Sequence, residues 1–206
     1  MTDFSVTTSD PDISALAGAI LDVIAESGHI LAVIKGSPDP DAIAAAYTFR
    51  QIAEKAGGQV IVESEQQPSL PQNQRIIADL HLPIRYDAVG DAVRFFDAYA
   101  VFDHQSVQVD GVTGIIPCAV HIDPHQEVET KLPVRFRWVC ENAGSTSTLV
   151  ALLLEHMVNR QDWSAAEEHK ACTALYFGMY TDTDRFAHLG ELDRRALAYL
   201  KPRTDL

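Results

Sequence analysis

"HILAVIK", residues 29–35, is an unbroken apolar run of strand length, and a helical pattern opens six residues later at Asp41. A strand with no polar alternation is buried on both faces, which is the habit of parallel sheets covered by helices. The same alternation of apolar runs and helical patterns continues along the chain. "QVIVES", "DAYAVFD" and "IIPCAVHID" read as further strands, and "VRFRWVC" alternates like an edge strand with one wet face. "DISALAGAILDVIAESG", capped by Asp10 or Asp12 and stopped by Gly28, reads as a first helix. Helices are also expected in "DAIAAAYTFRQIAEKAG", "LPQNQRIIADLHL", "STSTLVALLLEHMVNR", "SAAEEHKACTALYFGMY" and "ELDRRALAYL". The expected fold class is therefore α/β, a mostly parallel five-stranded sheet flanked by helices.

The 206 residues, 47% of them hydrophobic, suffice for one good-sized core. A single α/β domain over 1–206 is expected, with a helical region at 1–28 and the motif-bearing core at 29–206. No run approaches the ~18 apolar residues of a membrane span, and "MTDFSVTTSDPD" lacks the charge and apolar pattern of a signal peptide. Cys118, Cys140 and Cys172 are odd in number, widely spaced and set in apolar runs. They read as reduced core thiols of a cytoplasmic protein. A formal net charge of −13 argues against a broad duplex-binding face. It leaves room for a short nucleotide in a cation-filled cleft. A homodimer is compatible with the sequence.

The acidic residues fall where such a sheet concentrates chemistry. Asp39 and Asp41 follow the first apolar strand, Asp103 ends another, and Asp123 ends the next with His125 close behind. Asp182 closes the "LYFGMY" helical run. Ligands of open parallel sheets bind beyond the carboxyl ends of the strands. Carboxylates crowded there repel unless protonated or bridged by a cation. An oxygen-rich set with an occasional imidazole suits Mn²⁺ or Mg²⁺, as one ion or two. Each acid also has a plainer role. Asp41 suits a helix N-cap, Asp103 a turn, and Asp123 a hydrogen-bonding support for its neighbours. Ser145, Thr146 and Ser147 open a helix, where hydroxyls and free N–H groups cap the helix or meet a phosphate. Arg185 neutralises a phosphate or pairs with Asp184. His29, His81, His156, His169 and His188 read as surface or boundary residues.

Five blocks, "GSPDPDAIAAA", "VFDHQ", "HIDPHQ", "GSTSTLV" and "GMYTDTDRF", resemble in type and order those of the DHH phosphoesterase superfamily. That family includes RecJ-like exonucleases, nanoRNases with pAp phosphatase activity, cyclic-dinucleotide phosphodiesterases and family II pyrophosphatases. The resemblance runs from about residue 29 to the last residue. It implies a divalent-metal-dependent phosphoesterase that hydrolyses P–O bonds of short nucleotides or phosphoanhydrides by metal-activated water. It further implies that Asp103 bridges two ions, that Asp39 and Asp41 serve one each, that Asp182 is a further ligand, and that His125 faces the substrate phosphate. Two ligand positions depart from the pattern. Lys35 stands where relatives carry the histidine of "HxxPD", and Pro124 replaces the first histidine of Asp-His-His. The Lys35 charge then stands in for a cation, and His104 and His121 are candidate replacement ligands. A catalytically degenerate nucleotide- or phosphate-binding domain is the alternative. Relatives usually continue into a smaller C-terminal substrate domain; here the sequence stops at "LKPRTDL", so that element is expected to be absent.

Overall fold

The computed structural model describes residues 4–6, 11–86, 91–126, 128 and 132–204. Asp10 lies outside them; Asp12 caps the first helix by accepting the Ala15 N–H at 3.1 Å.

The chain is α/β with an all-parallel sheet. The strands are β1 (Phe4–Val6), β2 (His29–Ile34), β3 (Gln59–Ser64), β4 (Ile84–Tyr86), β5 (Ala98–Phe102), β6 (Cys118–Asp123) and β7 (Val134–Val139). Their order across the sheet is β1-β7-β6-β5-β2-β3-β4, and every pairing is parallel. The sheet thus has seven strands rather than five. The two extra ones, β1 and β4, have three residues each and form its edges. β7 is not the edge strand its alternation suggested, because β1 pairs with it through Phe4, Ser5 and Val6. Its alternation reports two unlike faces instead. Phe136 and Trp138 are fully buried, while Arg135 and Arg137 are half-buried.

The helices are α1 (Ile13–Ser27), α2 (Pro40–Lys55), α3 (Pro71–Leu80), α4 (Thr146–Val158), α5 (Ala165–Asp182) and α6 (Glu191–Leu200). α1, α2 and α4 pack on the sheet, and α5 and α6 pack on α2 and α4 as an outer layer. The apolar run of α4 suits this sandwiched position: Leu149 to Leu154 are all buried. No helix among the described residues is long and apolar enough to cross a membrane.

Chain direction explains the two faces. β1 to β4 advance one way across the sheet, and β4 to β7 run back. With right-handed crossovers, the first connections lie on one face and the return connections on the other. The first set supplies α1, α2 and α3. Among the described residues the return set carries only a 3₁₀ turn, Asp91–Phe95, and loops. Val107, Val109 and Val112 of one loop cover Leu31, Val33, Tyr99 and Val101 there. The reversal falls between neighbours β2 and β5. The loops after these strands leave in opposite directions, which opens a crevice at their carboxyl ends.

Candidate metal centre

Asp39 and Asp41 flank Pro40 at the start of α2, yet they do different work. Asp39 is the N-cap; its Oδ1 accepts the Ala42 N–H at 2.9 Å. Asp41 is fully buried and crosses to another helix. Its Oδ2 accepts the Thr146 N–H at 2.7 Å and its Oδ1 the Ser147 N–H at 2.8 Å. Those N–H groups belong to the first turn of α4, where no intrahelical acceptor exists and the helix end is positive. A carboxylate from α2 therefore fills the place where a phosphate was considered.

The hydroxyls beside it are also committed. Ser145 caps α4 by accepting the Thr148 N–H at 3.0 Å. Thr146 donates its hydroxyl to Asp103 Oδ1 at 3.1 Å. Of the two expected roles, capping and phosphate contact, Ser145 takes the cap, and the Thr146 hydroxyl supports a carboxylate. Asp103 follows β5 with φ of 55°, an uncommon conformation for a residue with a Cβ. Its N–H donates to the Ile122 carbonyl at 3.1 Å, so β6 fixes the turn. Asp182 arrives from the last position of α5.

Ligand atoms of Asp41, Asp103 and Asp182 all lie within 4.8 Å of one another. A second set, Asp103, Asp123 and His125, meets the same limit. Asp103 belongs to both. Asp123 is fully buried at the end of β6; its Oδ1 is 2.8 Å from His125 Nδ1, which is 3.9 Å from Asp103 Oδ1. Asp39 is outside both sets but contributes repulsion. Arg185 is exposed on a left-handed turn, Asp184 to Phe186, just beyond Asp182.

The electrostatics match the crowding. Burial, then Asp39 and Asp182, push Asp103 up to about 8. Asp182 is exposed at the crevice rim; partial loss of solvent, then Asp41 and Asp39, push it to about 7. Asp41 is also raised, by burial and then Asp103, against the pull of its Ser147 bonds. Asp123 Oδ2 is buried without a hydrogen-bond partner among the described residues. Crowded carboxylates, Asp41 and Asp123 among them fully buried, fit a hard divalent cation, and the donors are those Mn²⁺ or Mg²⁺ accept.

A pH dependence follows. Raised carboxyls stabilise the fold fully below the unfolded value, ~3.9, and lose that contribution as pH rises through about 7 and 8. A cation removes the repulsion. The gain in thermal midpoint on adding Mn²⁺ is therefore expected to widen between about pH 5 and about pH 8. Differential scanning fluorimetry checks this, and a gain independent of pH would count against the crowded cluster.

Lys35 is directed elsewhere. Its ammonium donates to the Gln108 carbonyl at 2.5 Å and the Ser106 carbonyl at 3.4 Å. His121 donates through Nε2 to the His104 carbonyl at 2.9 Å, and His104 Nδ1 accepts the Ser106 N–H at 3.0 Å. Burial, then Lys35, lower the proton affinity of His104. Neither histidine joins a ligand set among the described residues. All three instead secure the loop that follows Asp103.

Three supporting residues escaped the sequence reading. Gly178 of α5 faces Asp41, where a Cβ would lie 3.0 Å from Asp41 Cα. A glycine inside "LYFGMY" was the available signal, since helices disfavour it. Asp193 of α6 is buried and accepts from the Gly144 and Gly190 N–H groups and the Thr148 hydroxyl, which holds the entry to α4. In sequence, a first-turn acid carries no mark that separates this role from a favourable interaction with the helix dipole. Asn73, within "LPQNQR", donates to the Pro38 carbonyl at 2.8 Å and secures the turn before Asp39.

A parallel α/β domain with an acidic crevice at its switch point defines a class, and solved structures share the fold. The chain resembles an exopolyphosphatase-related protein from Bacteroides fragilis at 18% identity and a TM-score of 0.64, over 96% of this chain and 58% of that one. It resembles a Methanococcus jannaschii putative family II inorganic pyrophosphatase at 17% and 0.57, over 84% and 55%. It resembles exonuclease RecJ bound to manganese at 12% and 0.51, over 92% and 47%. At 12–18% identity these likenesses show a shared parallel α/β fold, the fold class expected from the sequence. The chain spans about half the length of these structures. No family model and no curated sequence matches it.

Proposed function

We propose that this chain is a cytoplasmic, divalent-cation-dependent hydrolase of phosphoester or phosphoanhydride bonds, acting on short nucleotides, oligonucleotides or phosphoanhydrides. The observation that carries this is the carboxylate of Asp103, shared by two ligand sets at the switch-point crevice. Support comes from the fold relatives, an exopolyphosphatase-related protein, a putative family II inorganic pyrophosphatase and an exonuclease bound to manganese. Asp41, Asp103 and Asp182 would hold the cation. Bound divalent cations supply positive charge to phosphate oxygens and acidify water.

The protein's own residues prepare that chemistry. The α4 N-terminus fixes Asp41 through two N–H bonds, and the Thr146 hydroxyl orients Asp103. Both acids are thereby preorganised. His125, 49% exposed beside Asp103, is the imidazole a bound phosphate would meet, with Arg185 a second candidate. The net charge of −13 repels anionic substrates, so cation loading and substrate binding are coupled.

Pyrophosphate and a dinucleotide, assayed with Mn²⁺ and with chelator, test the proposal. Cation-dependent turnover of either is expected; binding of one to two Mn²⁺ per chain without turnover of any phosphate compound would overturn it. A second reading, a degenerate nucleotide- or phosphate-binding domain, is favoured by the engagement of Lys35 with loop carbonyls and by Pro124. Lys35→His with Pro124→His separates the two. Raised Mn²⁺ content and turnover are expected of an impaired enzyme, and nucleotide binding unaltered by metal is expected of a binding domain.

A further inference from the structure

We infer that the cleft between α2, the end of α3 and the start of α5 is a binding site for a small phosphate-bearing molecule of mononucleotide size. The cleft has a volume of about 350 Å³ and is lined by Tyr47 and Arg50 of α2, Leu80 and Leu82 around the end of α3, and Ala166 and Lys170 of α5. That volume falls within the range of small-molecule pockets. The cleft is separate from the acidic crevice. Tyr47 and Arg50 follow Asp41 by six and nine residues, ~9 and ~14 Å along the helix, and Lys170 precedes Asp182 by twelve, ~18 Å.

Three donors of the cleft lack an acceptor among the described residues. Tyr47 is only 6% exposed, yet its hydroxyl makes no hydrogen bond there. Burial, then Glu167, push its ionisation up to about 12, so it stays a donor. Lys170 Nζ lies 5.9 Å from the centre of the Tyr47 ring and 3.5 Å from His81 Nδ1. That nitrogen also faces the Asp79 carbonyl at 3.0 Å. A carbonyl only accepts, so Nδ1 donates there and offers Lys170 no lone pair. Ala166 stands in the first turn of α5, where the Ser164 hydroxyl takes the Glu167 N–H and leaves that of Ala166. Ala166 and Lys170, four residues apart, share one face of the helix at its positive end. The acids nearby are already engaged: Glu167 by Ser164 and by Lys55 at 3.0 Å, Glu54 by Arg50 at 2.7 Å, and Asp79 by Arg75 at 2.8 Å. Arg50 bonds Glu54 through Nε, so its terminal nitrogens are open to a second anion. A hydroxyl, an ammonium and a helix N-terminus together suit phosphate, whose three terminal oxygens can accept from all of them. Leu80, Leu82 and the Tyr47 ring supply an apolar wall for the organic body that the phosphate carries.

The test is calorimetric titration of the full chain, in chelator, with AMP, inorganic phosphate and adenosine. Without a cation the acidic crevice repels phosphate, so binding reports on the cleft. AMP is expected to bind saturably, tighter than inorganic phosphate and much tighter than adenosine. Tyr47→Phe removes only the unpaired hydroxyl. Its thermal midpoint is expected to match or exceed that of wild type, while its AMP affinity falls about 10-fold. Lys170→Met keeps the length of the side chain and is expected to weaken AMP by about 10-fold or more. Asp103→Asn, in the acidic crevice, is expected to bind AMP as wild type does. No saturable AMP binding would overturn the inference, as would adenosine binding as tightly as AMP, or AMP affinity unchanged in both Tyr47→Phe and Lys170→Met. AMP binding lost in Asp103→Asn would also overturn it, by moving the ligand to the crevice. None of these outcomes bears on whether the crevice hydrolyses phosphate compounds.

Discussion

Under the proposed function, Asp103→Asn is expected to reduce cation-dependent phosphate hydrolysis by about 1,000-fold or more, because a cation ligand at that position would be worth several kcal/mol of charge stabilisation. The substitution is nearly isosteric, and its amide keeps one oxygen to accept the Thr146 hydroxyl, now 3.1 Å from Oδ1. It also removes a buried charge crowded by Asp39, Asp182 and Asp123. The cation-free variant is therefore expected to be at least as stable as wild type at pH 8, while its activity and Mn²⁺ affinity collapse. That opposition of stability and function is the signature of a ligand rather than a framework residue. Steady-state kinetics beside thermal melts decide it, and retention of full activity would sink the metal-centre assignment.

Gly178→Ala is expected to destabilise the protein by about 1–3 kcal/mol, the range for overpacking a filled interior. The sign carries the information. In an open helical position the same change stabilises, by roughly 0.5–1 kcal/mol. At Gly178 the new Cβ meets the Ser147 hydroxyl and lies 3.0 Å from both the Cα and Oδ1 of Asp41. α5 must retreat from α2, and Asp182, one turn further on, retreats with it. Mn²⁺ affinity should fall together with the denaturation midpoint. Ser147→Ala in the same chain removes the closest obstacle and should restore part of the stability, measured by urea titration. A stabilised Gly178→Ala would show that α5 does not press on Asp41.

The long strands and helices were legible because each carries a strong periodic or apolar signal. β1 and β4 were not, because three residues are too few to display a period and their pairing comes from the neighbouring strand. β7 misled because alternation marks unlike faces, whether or not a strand is at the edge. The acids of the crevice were legible through their positions at strand and helix ends. Their partners were not. Asp41 is met by N–H groups more than 100 residues away, and the chain pattern near Asp41 says nothing of α4. Lys35 sits at a position that suggested a charge for the site, but the direction of its side chain depends on the carbonyls of a loop with no regular structure. Asp123 was expected from its strand-end position to support its neighbours, and its Oδ1 pairs with His125 Nδ1 at 2.8 Å; its full burial was not legible in the sequence.

The span between Asp41 and Thr146, 105 residues, also sets when the centre comes into being. Asp103 reaches Thr146 across another 43, and Asp182 joins only after α5 has docked on the outside of α2. Contacts this distant in sequence close late in folding, because each pays loop entropy before it is rewarded. Until then the acids are apart and solvated, and their repulsion does not burden the early collapse. A cation bound at the proposed centre would stabilise only the native state. It would act as a latch that slows escape from the finished fold and leaves the rate of reaching it unchanged.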